Sequence, residues 1–333
     1  MDSSRPPEKS GHPSVGAGQG KSGLSGSPLR QPPDFVPFWE RTRAELGRVA
    51  PDVSCEPLRT EDPSLKFDAI EFGSLGEVRV SGYVIRWKDE ARRPLIVHSH
   101  GYGGGLDTKW RWARAGANVV GVEIRGYGRS RDALPSPSSW GYVLTGIESP
   151  EEHVLRGAVC DYMRAVEVGR EILGSATSRT ILNGTSFAGG LAVMSEAVMQ
   201  IADLLVAAVP SFGWVEGRRV LAKEGSGQEI NHYLEAHPER EEDVVTVLSY
   251  FDPVNFAGWI RCPTLIGVGL VDEVVPAPTV YAIADHLSGP HEVIELPVSH
   301  TDLPEERLWE KFEAYWLRLA TEGILADFGK EKP

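Results

Sequence analysis

The sequence predicts an α/β protein in which one mostly parallel sheet is flanked by helices, with a helical cap inserted late and an extra helix in front. Three observations predict it. Short apolar runs, "PLIVHSH", "ANVVGVEI" and "RTILNG", are each unbroken enough for a strand buried on both faces, and each is followed by helix-favouring sequence. Two further runs, "DLLVAAVP" and "CPTLIGVGL", continue the series, and "HEVIELP" closes it before a last helix around residues 305–319. Between Phe212 and Trp259 the rhythm gives way to polar sequence including "REEDVVTVLSYF", an insertion suited to cap the strand ends.

Residues 1–33 are rich in Gly, Ser and Pro and poor in large apolar side chains, so burial cannot offset the entropy of ordering them; they are expected to form a disordered leader. Within them "GAGQGKSG" imitates the end of a phosphate loop. The motif's first glycine would fall on Val15, however, and no strand precedes it, so it is read as linker. The folded domain is expected over 34–325, with the cap at about 212–259 and a tail at 326–333. Asp34 is placed to cap a helix whose Phe35, Phe38, Trp39 and Leu46 recur at helical spacing. "EVRVSGYVIRW", residues 77–87, alternates as a half-buried antiparallel strand does, and is expected at the sheet edge.

Composition excludes several function classes. A chain of 333 residues with 41% hydrophobic content can bury one large core, or one core and a small cap. Its 34 basic against 47 acidic side chains leave a formal charge of −13, which argues against nucleic acid and anionic membranes as partners. Cys55, Cys160 and Cys262 are too scattered for a zinc site or a disulfide framework. With no signal-like or membrane-spanning apolar stretch, a reducing cytoplasmic location is expected.

The chemistry centres on "RTILNGTSFAGGLAV", which sets Ser186 between a strand and a helix with small residues all round. A nucleophile elbow needs this arrangement: a strand, a very tight turn that lifts the hydroxyl clear, and a helix passing close to the strand. The usual G-x-S-x-G becomes Gly184-Thr185-Ser186-Phe187-Ala188. The competing reading is a serine that merely caps the helix. Its partners favour the nucleophile, because a serine hydroxyl needs a base and the base needs an orienting group. Asp272 and His300 each follow a predicted strand, in the order Ser, acid, His, although Glu273 is a rival acid. For the oxyanion, the N–H of Phe187 and that of Tyr102, in the glycine-rich "HGYGGG", are the candidate donors. His98 and His100 have no further ligand at metal spacing, so no metal site is predicted.

With those residues placed, the chain resembles the acetyl xylan esterase and cephalosporin C deacetylase family of α/β-hydrolases over roughly residues 34–319. The likeness rests on "DFVPFWERTRAEL", "HGYGG", "RGYGRS", "GIESPEEHVLRGAVCDYMRAVE", "REEDVVTVLSYFDPVNFA" and "CPTLIGVGLVDEVVPAPTVYA". It implies the α/β-hydrolase fold, a triad of Ser186, Asp272 and His300, and Tyr102 and Phe187 as oxyanion donors. It also implies removal of acetyl groups from small esters without a cofactor, and a homo-oligomer of the hexameric-ring kind. By the same likeness Arg125 ties loops together. Four positions depart from the family pattern: Phe187 and Tyr127 stand where Gln is usual, Ala188 for Gly and Thr301 for Glu. A backbone donor survives the change at 187, but two aromatic rings should make the pocket more apolar. Tyr127, Phe212 and Trp214 are the expected substrate-binding residues. The leading expectation is therefore a serine carboxylesterase; the alternatives are the same triad acting on an amide, lactone or thioester, and a ligand-binding relative without catalysis.

Overall fold

A computed structural model describes residues 29–302 and 307–322. The expected leader, for residues 1–28, and the expected tail at 326–333 lie outside the described residues. Nine strands form one sheet: β1 (Ser54–Leu58), β2 (Leu65–Ser74), β3 (Val78–Trp87), β4 (Arg93–Ser99), β5 (Asn118–Glu123), β6 (Thr177–Thr185), β7 (Leu204–Ala208), β8 (Thr264–Gly269) and β9 (His291–Leu296). Their order is β1-β2-β3-β5-β4-β6-β7-β8-β9, with the first three joints antiparallel and the rest parallel. All six apolar runs of the sequence are the parallel strands β4 to β9.

The strand at 77–87 is not the sheet edge. β3 pairs with β2 on one side and β5 on the other, and Val80 to Ile85 are buried without a break. The edge is β1, all of whose residues are exposed and whose Pro57 suits an edge. β2 escaped the sequence reading because Lys66, Asp68 and Glu71 interrupt its apolar pattern; the last two find guanidinium partners on β3, Arg86 at 3.2 Å and Arg79 at 2.8 Å.

Alternation along the central strands feeds two cores. Val84, Val97, Val120 and Leu182 face one side, packed with α1 (Phe35–Arg48), α3 (Val154–Leu173) and α4 (Phe187–Met199). Ile85, Ile96, Val119 and Ile181 face the other, covered by α2 (Trp110–Arg114) and α10 (Leu308–Glu322), where Trp112 and Trp316 meet edge to face at 4.9 Å. Between β7 and β8 run α5 (Val215–Leu221), α6 (Gly225–Ala236), α7 (Glu241–Ser249) and α8 (Pro253–Ala257), before α9 (Ala277–Ala284). The front helix α1 packs on this insertion through Phe35 and Trp39 against Phe256, and Trp39 Nε1 donates to the Tyr250 carbonyl at 3.0 Å. Asp34 does precede α1, but its carboxylate makes no cap; it accepts the Tyr250 hydroxyl instead, which spends the oxygen on tertiary rather than local bonding. Among the described residues no helix is long and apolar enough to cross a membrane.

Candidate active site

At the β6–α4 junction Ser186 has φ 56° and ψ −116°, a conformation that costs a non-glycine residue about 1–3 kcal/mol and survives only where its surroundings enforce it. They do. Its N–H donates to Ala208 O on β7 at 2.9 Å, and its carbonyl accepts from the Gly190 and Ser211 N–H groups, both at 3.0 Å. Close passage of helix and strand also requires Gly184, where a Cβ would fall 2.1 Å from Ala188 O. Ala188 itself is fully buried and accommodated. Ser186 stands at the N-cap position of α4, yet its side chain makes no cap bond; its Oγ lies 3.3 Å from Ser211 Oγ. The capping alternative is thereby removed.

Asp272 lies three residues past β8. Its Oδ1 accepts the Val274 and Val275 N–H groups at 3.0 and 2.8 Å, while Oδ2 accepts both the His300 backbone N–H at 2.9 Å and His300 Nδ1 at 2.5 Å. An Nδ1–H held by a carboxylate leaves Nε2 as the ring nitrogen free to take a proton. Burial pushes the Asp272 carboxyl upward, but the His300 ring and the backbone N–H groups outweigh it and hold the group below its ordinary value. The rival acid is elsewhere: Glu273 is exposed and bonds Lys223 Nζ at 2.6 Å. The turn bearing His300 is braced by Ser299, whose carbonyl accepts Trp309 Nε1 at 3.0 Å and whose hydroxyl meets that of Thr301 at 2.9 Å.

Acid and histidine are thus joined, whereas among the described residues no hydrogen bond joins Ser186 to His300; the serine hydroxyl is spent on Ser211. Hydrogen bonds between reacting groups are commonly long or misaligned without substrate and tighten only when it binds.

The "HGYGGG" loop is a tight turn closed by a Gly101–Gly104 bridge. The hydrogen bonding of the described residues gives neither the Tyr102 nor the Phe187 N–H a protein acceptor, and Phe187 opens α4, where an N–H has no intrahelical partner. The Phe187 ring corrects one expectation. It lines no open pocket: it is fully buried among Tyr102, Tyr127, Tyr142 and Phe212, with centroids 5.7–6.0 Å away. Phe212, expected as a pocket wall, is 5% exposed and lines a cavity together with Leu155, Val215 and Arg218, its ring also packed against Phe187. The Phe187 ring packs against Tyr102 of the glycine-rich loop. Tyr127 and Trp214 are half-buried and keep some surface. Arg125 is buried in a two-pronged pair with Asp161 at 2.7 and 2.9 Å and donates to Leu75 O at 3.0 Å, which is a brace between loops.

His98 and His100 serve the protein. His98 is buried against the Tyr83 hydroxyl at 2.6 Å, and burial pushes it down to about 3. His100 Nε2 accepts the Ile124 N–H at 3.1 Å. Among the described residues no group of three or more His, Cys, Asp or Glu is placed to hold a metal ion.

Sequence reasoning missed Ser211 and Asp252. Val209, Phe212 and Trp214 all have positive φ, so the β7–α5 connection is strained, and within it Ser211 meets Ser186. Buried Asp252 holds the connection by accepting the Trp214, Val215 and Val254 N–H groups, each at 2.9 Å. A sequence signal existed for Asp252, since Asp-Pro marks a helix start; Ser211 had none.

The family model described as "Acetyl xylan esterase (AXE1)" matches residues 27–313. The chain belongs to this family. Acetyl esterase Axe7A of Xylanibacter ruminicola is 22% identical over 285 residues, covering 81% of this chain, which spans 63% of that relative's length. Two solved acetyl xylan esterases of the same fold, from Paenibacillus sp. R4 and Thermoanaerobacterium sp. JW/SL YS485, superpose with TM-scores of 0.81 and 0.80 at 24% and 23% identity. Each comparison covers 88% of this chain and 96% of the other. The α/β-hydrolase architecture of the family is therefore that of this chain.

Proposed function

We propose that this protein is a serine carboxylesterase that removes a short acyl group, acetyl first among them, from small-molecule esters. The observation that carries the reading is the Asp272 carboxylate, past the end of β8, gripping His300 through both its backbone N–H and its Nδ1, with a strained, non-capping Ser186 at the end of β6, two strands along the sheet. Family membership supports acetyl ester hydrolysis as the chemistry.

In the proposed cycle Ser186 rotates from Ser211 towards His300, whose Nε2 takes its proton as Oγ attacks the ester carbonyl. The resulting oxyanion lies on the Tyr102 and Phe187 N–H groups. His300 then protonates the departing alcohol, leaving an acyl-serine. Water, deprotonated by the same nitrogen, releases the acid and restores the hydroxyl. Asp272 keeps the imidazole in the required tautomer and balances its transient charge. No cofactor enters these steps. The reading extends to a cytoplasmic homo-oligomer, hexameric by family likeness; sedimentation of the purified protein tests the assembly.

The decisive experiment is Ser186→Ala against short p-nitrophenyl esters, with fluorophosphonate labelling alongside. The expected loss of turnover is on the order of 10⁵-fold or more, with labelling abolished. A variant that retained wild-type turnover would sink the assignment, and a folded wild type that neither hydrolyses nor labels would favour ligand binding without catalysis.

A further inference from the structure

The Tyr102 hydroxyl is remote from the backbone N–H assigned above to the oxyanion, yet it is fully engaged. It donates to Glu229 Oε2 at 2.5 Å and accepts the Val143 N–H at 2.9 Å, so its one proton and one lone pair are both used. Glu229 belongs to α6, in the insertion between β7 and β8. Its carboxylate is hydrogen-bonded to the phenol and also feels the Arg218 guanidinium. Space is kept for that carboxylate: a Cβ on Gly141 would fall 2.1 Å from Glu229 Oε2. The loop itself has little internal stiffness. Gly103, Gly104 and Gly105 follow Tyr102, the last two at φ 82° and 81°, and the Gly101–Gly104 bridge closes it. A backbone so permissive does not hold one N–H in place unaided.

We propose that Glu229 is a positioning residue: through the Tyr102 hydroxyl it fixes the loop whose N–H receives the oxyanion, so the cap helix α6 completes the catalytic site from above. This rests on the esterase reading. Hydrogen bonds to an ionised acceptor are shorter and roughly twice as strong as neutral ones, which suits a tether asked to help hold a glycine-rich loop. Preorganisation of this kind matters in the transition state and little in the ground state, so its loss should fall on kcat.

The test compares wild type, Tyr102→Phe, Glu229→Ala, Glu229→Gln and the Tyr102→Phe/Glu229→Ala double variant. Readouts are kcat and KM on p-nitrophenyl acetate, inhibition by an alkylboronic acid, whose tetrahedral serine adduct places an oxygen in the oxyanion site, and Tm. Tyr102→Phe and Glu229→Ala should each lower kcat roughly 10- to 100-fold, with KM within about threefold and boronate affinity falling in step. Glu229→Gln keeps an acceptor and should stay within about threefold of wild type, and the double variant should be no worse than the weaker single one. If Tyr102→Phe does not fold, Glu229→Ala alone carries the test. Unchanged kcat and boronate affinity in a folded Glu229→Ala, or losses that add in the double variant, would overturn the tether. A wild type with Ser186-dependent turnover and indifferent variants defeats the tether only; a wild type without turnover defeats the esterase reading and the tether with it.

Discussion

Two buried aspartates, one at the rim of the sheet and one at the root of the cap, are built alike and behave oppositely. Asp272 and Asp252 each accept three backbone N–H groups at 2.8–3.0 Å. At the cap root burial dominates and pushes Asp252 up to about 6, its N–H partners opposing without prevailing. At the rim burial works the same way, but the imidazole of His300 adds a fourth donor that can become a cation, and Asp272 ends below its ordinary value. Backbone N–H groups shape a loop around a carboxylate; a titratable partner gives the carboxylate a ring to orient.

The largest break of this comparison is Asp272→Asn. It keeps the shape but presents the wrong hydrogen-bonding group to Nδ1, and by analogy with Ser-His-Asp hydrolases kcat should fall by about 10⁴-fold. Steady-state kinetics on short aryl esters checks it; a loss below tenfold would show that Asp272 does not orient His300.

The next effect is on stability, and its sign differs between the two sites. For Asp252 the folded pKa of about 6 lies above the ordinary 3.8, so between these values the folded state holds a proton that the unfolded state releases. Its contribution therefore declines as pH rises through that window, by on the order of 3 kcal/mol in all. Asn at 252 removes this slope but turns an N–H toward that of Val215, at a cost of about 1–3 kcal/mol. Urea unfolding should find Asp252→Asn less stable than wild type at pH 4, with the gap closing towards pH 7. For Asp272 the folded pKa is depressed, so its contribution is present above the ordinary carboxylate value and disappears as pH falls through the lowered one. The Asp272→Asn gap should accordingly widen as pH rises through the acid range. Slopes of the same sign at both sites would contradict the contrast.

The smallest effect sharpens the choice of acid. Glu273→Gln touches only an exposed ion pair with Lys223, and kcat should remain within about twofold of wild type. A large loss there would move the orienting role from Asp272 to its neighbour.

Much of the fold was legible because its strands are apolar enough to need no context. β4 to β9 announce themselves as runs such as "PLIVHS" and "TLIGVG", which only a doubly covered sheet can bury. β2 was not legible, since Asp68 and Glu71 read as surface until Arg86 and Arg79 of β3 meet them. At the site, chain order and the small residues around 186 marked the serine, the acid and the histidine. Asp252 lay in a visible Asp-Pro helix start, but that it also holds Trp214 and Val215, some forty residues earlier in the chain, is a tertiary fact.

By itself the sequence determined the layered architecture, the strand-to-helix turn at Ser186 and the candidate side chains that strand ends could deliver, because these follow from local apolar pattern and from residue type. Only the tertiary structure decided that Asp272 rather than Glu273 holds His300, that the Ser186 hydroxyl meets Ser211 instead of capping α4, and that the rings of Phe187 and Phe212 are buried. The reason is directional: neighbouring residues in a turn aim their side chains apart. Which one reaches the site depends on the packing of elements far away in the chain, and one-dimensional spacing does not contain it.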